Sequence, residues 1–333
     1  TKTHIPKKNI REKCLSSVKK PLLGSSCQRT VFLEIIATQS EFLIGAIMVV
    51  KSDFDSTDPV AWCPGCGNYA ILGSIKESLV ELGLEPWQVI LVSGIGQAAK
   101  LPHYLKCNLF NGLHGRALPA AFGIKAVNHK MKVIVHGGDG DAYAEGGNHF
   151  VHAIRRNADI TYFVHDNQIY ALTKGQASPT TDRGMKSGTT PFGSFNEPEH
   201  PIAMAIALNC TFVARAFAGD PVHLKKIMTA ALSHRGFAFV DILQPCVTFN
   251  KINTYQWYRD RVYNLDDDQA YNSLDRSAAF NKSLEWGDKI PTGIIYKCDR
   301  PVYEDHSPVN KDVSLSREEL RPPQLEELVK KYF

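Results

Sequence analysis

Val133-Ile134-Val135-His136-Gly137-Gly138-Asp139-Gly140-Asp141 joins an apolar run to a glycine-rich acidic turn, and a second apolar run further on ends at His165-Asp166-Asn167. Glycines without a Cβ let backbone N–H groups close on phosphate oxygens, and Asp139 and Asn167 offer the hard oxygen ligands that magnesium prefers. The stretch reads as a diphosphate and metal cradle, with each ligand just beyond the C-terminal end of a predicted strand. In an open α/β sheet that edge is where ligands bind.

Outward from the cradle, helices and strands alternate. A helix is expected over about 69–82, with Ala70, Ile71, Ile75, Leu79 and Leu82 on one face, Asn68 as its cap and Gly83 as its stop. After Pro86 comes a strand, Val89-Ile90-Leu91-Val92, ending at Ser93-Gly94-Ile95-Gly96. Helices are expected over about 117–127, 145–156, 202–208 and 222–233, and further strands over 160–164, 211–215 and 237–243. Residues 175–198, rich in Gly, Ser, Thr and Pro, read as a long loop that orders on ligand or partner binding. Strands that are near-continuous apolar runs, alternating with helices, argue an α/β fold: a doubly wound, mostly parallel sheet covered on both faces. The core domain is expected over 48–250. Residues 251–333 read as an extension that packs on the core or on a partner, with one candidate late strand over 290–296.

With 333 residues, 44% hydrophobic and 22% charged, the chain has the composition of a soluble globular protein able to bury a substantial core. The formal charge of +4 is unevenly placed. Residues 1–47 hold eight Lys/Arg against three Asp/Glu, which leaves 30 against 31 in the remainder. The near-neutral body removes the main support for a nucleic-acid partner. The apolar stretch from Val31 to Val50 is interrupted by Glu34, Gln39, Ser40 and Glu41 and is not read as a membrane span. It is also too polar and too late for a signal peptide. Residues 1–47 are expected to be an appendage, upstream of a natural start at Met48. The eight cysteines, with no export signal, point to a reducing cytoplasm, where buried thiols or metal ligands are more common than disulfides.

Cys63-Pro64-Gly65-Cys66-Gly67 is the second strong signal, because a C-x-x-C pair on a tight glycine turn can place two thiolates on one metal. Alone, the pair is ambiguous between redox dithiol, zinc site, iron–sulfur cluster and chance. Cys246, after Gln244-Pro245 at the C-terminal end of a strand, can supply a third thiolate from the same edge.

These two signals, together with Ser93-Gly94-Ile95-Gly96, Leu113-His114-Gly115-Arg116, Thr173-Lys174-Gly175-Gln176-Ala177-Ser178-Pro179-Thr180 and Leu243-Gln244-Pro245-Cys246, resemble the β subunit of 2-oxoacid:ferredoxin oxidoreductases over about residues 60–300. The resemblance implies thiamine diphosphate held through Mg2+, a [4Fe-4S] cluster, and an α subunit that completes the thiamine site. Carried over residue by residue, it implies that Asp139, Asn167 and the carbonyl of Ile169 hold magnesium. Gly140, Asp141, Ala171 and Leu172 would line the diphosphate, while Ile95, Gly96, Gln97, Ala98 and His114 approach the cofactor. Cys63, Cys66 and Cys246 match three cluster ligands. The implied reaction is oxidative decarboxylation of a 2-oxoacid, 2-oxoglutarate or pyruvate, to acyl-CoA and CO2, with electrons passed to ferredoxin. The overall run is closer to the 2-oxoglutarate or broad-specificity branch, and Lys100 could pair with a distal carboxylate. His114 is the candidate catalytic residue of this chain, and the glutamate that activates thiamine is expected from the α subunit.

One position departs from the family. Where a cysteine usually follows Gly-Ile-Gly, this chain has Gln97, a poor substitute for thiolate on soft iron. The cluster then has another fourth ligand, with Cys107 the first candidate, or three cysteines and a labile iron, or it is missing. Two alternatives stand beside the main reading: a thiamine-dependent non-redox decarboxylase or synthase, and a noncatalytic subunit in which the cysteines hold zinc.

Overall fold

The computed structural model describes residues 49–306, 314–317 and 330. The expected appendage 1–47 lies outside the described residues. Eight strands form one sheet in the order β2-β1-β3-β4-β8-β7-β10-β9. They are β1 Val89–Ser93, β2 Asn108–Asn111, β3 Lys132–Gly138, β4 Ile160–Asp166, β7 Phe212–Phe217, β8 Ala238–Leu243, β9 Val262–Asn264 and β10 Ile290–Lys297. From β2 through β7 every pair is parallel; β10 runs antiparallel to β7, and β9 pairs parallel with β10. Two short strands, β5 Ile169–Tyr170 and β6 Gln176–Ala177, make a separate hairpin above the sheet edge.

Strand pleating sends alternate side chains to opposite faces, and here each face meets its own helical layer. Val133, Val135 and Phe239 point to a core shared with α2 (Ala117–Val127), α3 (Gly147–Arg156) and α4 (Pro201–Ala207) through Leu118, Phe150, Ile154 and Ile206. Ile134, Ala238 and Val240 point to the other core, with α1 (Asn68–Glu81) and α5 (Pro221–Ser233) through Ile75, Leu79, Leu224 and Met228. Burial on both faces explains why the central strands read as unbroken apolar runs. Each fully buried Val, Leu, Ile or Phe contributes roughly 1.5–3 kcal/mol.

The expected elements are present to within two or three residues, and the sheet is mostly parallel and covered by helices on both faces. Three features differ. Asn68 does not cap α1: Gly67 is the residue before the first turn, and the Asn68 side chain is buried against His165. The edge strand β2 is absent from the sequence pattern, because its four exposed residues, Asn-Leu-Phe-Asn, carry no buried alternation. Among the described residues after 250, the candidate late strand forms as β10 and joins the core sheet rather than packing over it, with Ile290, Ile295 and Tyr296 buried. Gly83 does end α1, at φ +62, where a side chain would be strained.

Candidate active site

The C-terminal ends of β1, β3, β4 and β8 lie on one edge of the sheet, because these strands are parallel and in register. The loops leaving them carry Gly94–Gln97, Asp139–Asp141, Asn167–Ile169 and Gln244–Cys246. Asp139 is buried after β3. Its Oδ2 accepts from Ser178 Oγ at 2.5 Å and from Thr180 Oγ1 at 2.8 Å. Thr180 Oγ1 is also 2.8 Å from Asp166 Oδ1. The loop after β6 therefore clamps the ends of β3 and β4. Sequence reasoning misses the roles of Ser178 and Thr180, since each lies about forty residues from Asp139 and only the fold joins them.

The donor set fits magnesium. Asp139 brings a carboxylate, and Asn167, buried beside it in the fold, brings an amide whose Nδ2 donates to Gln244 Oε1 at 3.2 Å. That bond fixes the amide plane and leaves Oδ1 with a single partner, the Ile169 N–H at 3.1 Å. Burial pushes the Asp139 carboxyl up to about 6, against hydrogen bonds from Ser178 and Thr180 that lower it. Burial, with Asp241 and Asp139 nearby, also holds Asp166 well above the usual carboxylate range. Arg215 Nε, 3.6 Å from Asp241 Oδ2, is a buried cation beside this cluster, and Asp139 has no ion pair among the described residues. Gly140 is required for a different reason from the one expected. An added Cβ would lie 2.2 Å from the Tyr170 ring, and the Gly140 N–H is engaged by the Asp139 carboxylate.

Asp141 is expected to line the diphosphate; its carboxylate instead turns inward. Oδ1 accepts from the backbone N–H of Ile95 at 2.9 Å and of Gly115 at 2.8 Å. One buried side chain thus ties the turn after β1 to the loop that carries His114. A Cβ on Gly94 would lie 2.1 Å from Asp141 Oδ2, so this approach needs glycine. A π-helical turn, Gly140–Glu145, then places Asp141 and Glu145 on the same side. His114 Nδ1 stands 3.1 Å from Asp141 Oδ1 and 3.3 Å from Glu145 Oε2, without the alignment of a hydrogen bond to either. With 36% of its side chain exposed, His114 remains open to a ligand.

Cys63, Cys66 and Cys246 line one pocket together with Gln97, Asn68, Asn167 and Gln244. Gln244 Nε2 lies 3.5 Å from Cys66 Sγ, and burial pushes the Cys66 thiol up to about 11. The pocket includes Asn167 of the Asp139–Asn167 oxygen pair, so the thiols and the cradle are adjacent. Among the described residues no three His, Cys, Asp or Glu side chains converge on one ion. A cluster takes one thiolate per iron, so its ligands stand farther apart than those of a single zinc.

Cys107 does not join this group. Asn108, its neighbour, pairs with Ile90 at the start of β1, which puts Cys107 at the opposite edge of the sheet. It belongs to the expected connection, but β2 restarts the chain from the far edge, and nothing in the sequence marks that strand. Of the other expected contacts, Ile95 (40% exposed) and Leu172 (44%) face solvent near the cradle, while Ala171 and Gln97 line the cysteine pocket. Gly96 is in the left-handed region, at φ +111, and forms the tight turn. Ala98 is buried at the start of a short 3-10 helix and offers no surface to a cofactor. Lys100 Nζ lies 3.5 Å from the Ala61 carbonyl, beside the cysteine loop.

The doubly wound sheet, with Asp139 and Asn167 at its carboxyl edge, has the architecture of an α/β enzyme subunit with its site at that edge. Residues 92–242 match the family described as thiamine pyrophosphate enzyme, C-terminal TPP binding domain, and residues 246–312 match the C-terminal family of the pyruvate ferredoxin oxidoreductase beta chain. The chain is 48% identical to the 2-oxoacid:ferredoxin oxidoreductase subunit beta of Saccharolobus solfataricus, over 71% of this chain and 81% of that one. It is 45% identical to the 2-oxoglutarate oxidoreductase subunit KorB of Mycobacterium tuberculosis, over 60% and 53%. A solved 2-oxoglutarate:ferredoxin oxidoreductase from Magnetococcus marinus, with 2-oxoglutarate, coenzyme A and succinyl-CoA bound, superposes with a TM-score of 0.74 at 38% identity. That match covers 77% of this chain and 87% of the other. The chain belongs to the 2-oxoacid:ferredoxin oxidoreductase β-subunit family. It is an oxidoreductase subunit, and as a β subunit it works with an α partner. No helix among the described residues is long and apolar enough to cross a membrane.

Proposed function

We propose that this chain holds thiamine diphosphate through magnesium at Asp139, Asn167 and the Ile169 carbonyl, and carries an iron–sulfur cluster on Cys63, Cys66 and Cys246. The substrate is a 2-oxoacid, with 2-oxoglutarate preferred, coenzyme A is the acyl acceptor, ferredoxin is the electron acceptor, and the compartment is the cytoplasm. The observation that carries this reading is the pairing of the Asp139–Asn167 oxygen set with three thiols in an adjoining pocket. It is supported by relatives named as oxidoreductases, which leave the non-redox and zinc alternatives without support.

When bound, thiamine supplies the nucleophilic carbon and the electron sink for loss of CO2. The chain's own residues bind, orient and neutralise. Ser178 and Thr180 hold the Asp139 carboxylate in one orientation, and Gln244 does the same for Asn167. Asp141 fixes the turn at Ile95 and the loop at Gly115, so that His114 is presented at a set distance from the cradle. From there His114 can hydrogen-bond the developing oxyanion or the substrate carboxylate. Lys100 Nζ faces the Ala61 carbonyl at 3.5 Å beside the cysteine loop, and the α subunit supplies the rest of the substrate pocket.

Titration calorimetry on the αβ complex tests the site. Thiamine diphosphate should bind only with magnesium present, and Asp139→Ala should abolish the heat while leaving the complex assembled. Magnesium-independent binding of equal strength in both proteins would overturn the assignment.

A further inference from the structure

The cysteine pocket contains more information than its three thiols. Its lining includes no carboxylate and no imidazole. Of its amides, Gln244 Nε2 is engaged by Cys66 and the Pro245 carbonyl, Asn167 Oδ1 accepts from Ile169, and Asn68 Oδ1 is taken by His165. Two side-chain atoms of the pocket are buried without a hydrogen-bond partner among the described residues, the donor Asn68 Nδ2 and one acceptor, Gln97 Oε1. The Gln97 backbone carbonyl accepts from Trp62 Nε1 at 2.9 Å, which pins the residue to the start of the cysteine loop.

No other described cysteine can reach. Cys107 precedes β2, Cys210 precedes β7, and Cys298 follows β10 where Lys297 pairs with Phe212 at the start of β7. All three lie at the N-terminal edge of the parallel strands, across the sheet from Cys246, which follows β8. Cys298 Sγ is 3.9 Å from the Cys210 carbonyl, so two of them are also close to one another there.

We infer that the described residues give the cluster three thiolates only, with the Gln97 carboxamide over the fourth iron, which makes that iron labile. This rests on the proposed cluster at Cys63, Cys66 and Cys246. A neutral amide oxygen is a weak, hard donor for iron set in sulfide, whereas each thiolate is a strong, soft one. The iron lacking a thiolate is therefore the one lost on oxidation. A one-electron oxidant such as ferricyanide takes one electron from [4Fe-4S]2+, Fe2+ departs, and [3Fe-4S]+ remains; ferrocyanide is the other product. Ferrous iron with one electron from dithionite restores the starting cluster.

The test uses the anaerobically purified αβ complex, titrated with ferricyanide while EPR and released ferrous iron are followed. About one iron in four should leave, and the near-isotropic signal of an oxidised three-iron cluster should grow in step. Gln97→Cys supplies the missing thiolate and should retain all its iron under the same titration. Gln97→Ala should lose iron as readily as the parent and guards against a folding defect in the cysteine variant. A parent complex that keeps all its iron, or a Gln97→Cys complex that loses it equally, overturns the inference and leaves the cluster assignment standing. Protein isolated with no iron or sulfide at all overturns the cluster assignment, and this inference with it.

Discussion

Asp139 and Asp141 stand two residues apart and do different work. Asp139 faces the cradle, held by Ser178 and Thr180; Asp141 faces inward, holding Ile95 and Gly115. Their difference is not legible in Gly-Asp-Gly-Asp, because the partners that separate them lie 26 to 46 residues away. Asp139 and Asn167 are legible, since a hard-oxygen residue immediately after an apolar run at a ligand-binding edge has a chemical reason to be there. Thr180 shows what the fold adds. Its hydroxyl bridges Asp139 and Asp166, and Thr180→Val removes both bonds at nearly constant volume. Loss of such a supporting bond typically weakens metal binding about 10–100-fold. Magnesium titration of the complex in the presence of excess thiamine diphosphate should show a loss in that range, with unchanged secondary structure by circular dichroism.

At the scale of elements, the site is made by strand ends and by the polar contacts that lock them. His136 Nδ1 and His165 Nε2 lie 2.9 Å apart, and His165 Nδ1 is 2.7 Å from Asn68 Oδ1, so β3, β4 and the start of α1 share one buried chain. Burial pushes His165 down to about 3 and, with His165 beside it, His136 well below the ordinary range. Both are neutral in the folded chain, whereas in the unfolded chain an imidazole protonates near pH 6.5. The unfolded state therefore binds more protons as pH falls below 6.5, and stability present above that pH is lost toward the folded values. Each histidine contributes a slope of about 1.4 kcal/mol per pH unit in that window. Denaturant melts of the metal-free subunit between pH 7 and pH 5 should show it, and His165→Gln should flatten it. The strands β1, β3, β4, β7 and β8 are readable because burial on both faces leaves an apolar run. The edge strand β2 is not, because it is exposed throughout, and neither is the hairpin β5–β6, whose strands of two residues each are too short to show an alternation.

For the molecule as a whole, the described residues 251–306 complete the sheet. β10 covers the flank of β7 in antiparallel pairing, and β9 then joins its other side. Ending the chain after residue 288 removes Ile290, Ile295 and Tyr296 from the core, at roughly 1.5–3 kcal/mol each, and bares the edge of β7. That sum is comparable with the entire stability of about 5–15 kcal/mol typical of a domain. The truncated protein should aggregate on expression, while the full chain stays monodisperse by light scattering. The weak periodicity of this region, with short helices between strands that belong to the far side of the sheet, hides its role. Under the proposed function catalysis draws on the α partner as well; from the described residues His114 and Glu145 stand beside the cradle loops, while Asp141 faces inward. Under the proposed function, electrons taken from a 2-oxoacid at the Asp139–Asn167 cradle pass into the cysteine pocket beside it. Stopped-flow absorbance of the anaerobic αβ complex, mixed with 2-oxoglutarate and coenzyme A without ferredoxin, measures that transfer in one turnover. The cluster absorbance should bleach in the parent complex and stay unchanged in Asp139→Ala; no bleaching in an iron-replete, thiamine-loaded parent complex with either 2-oxoglutarate or pyruvate would contradict the account.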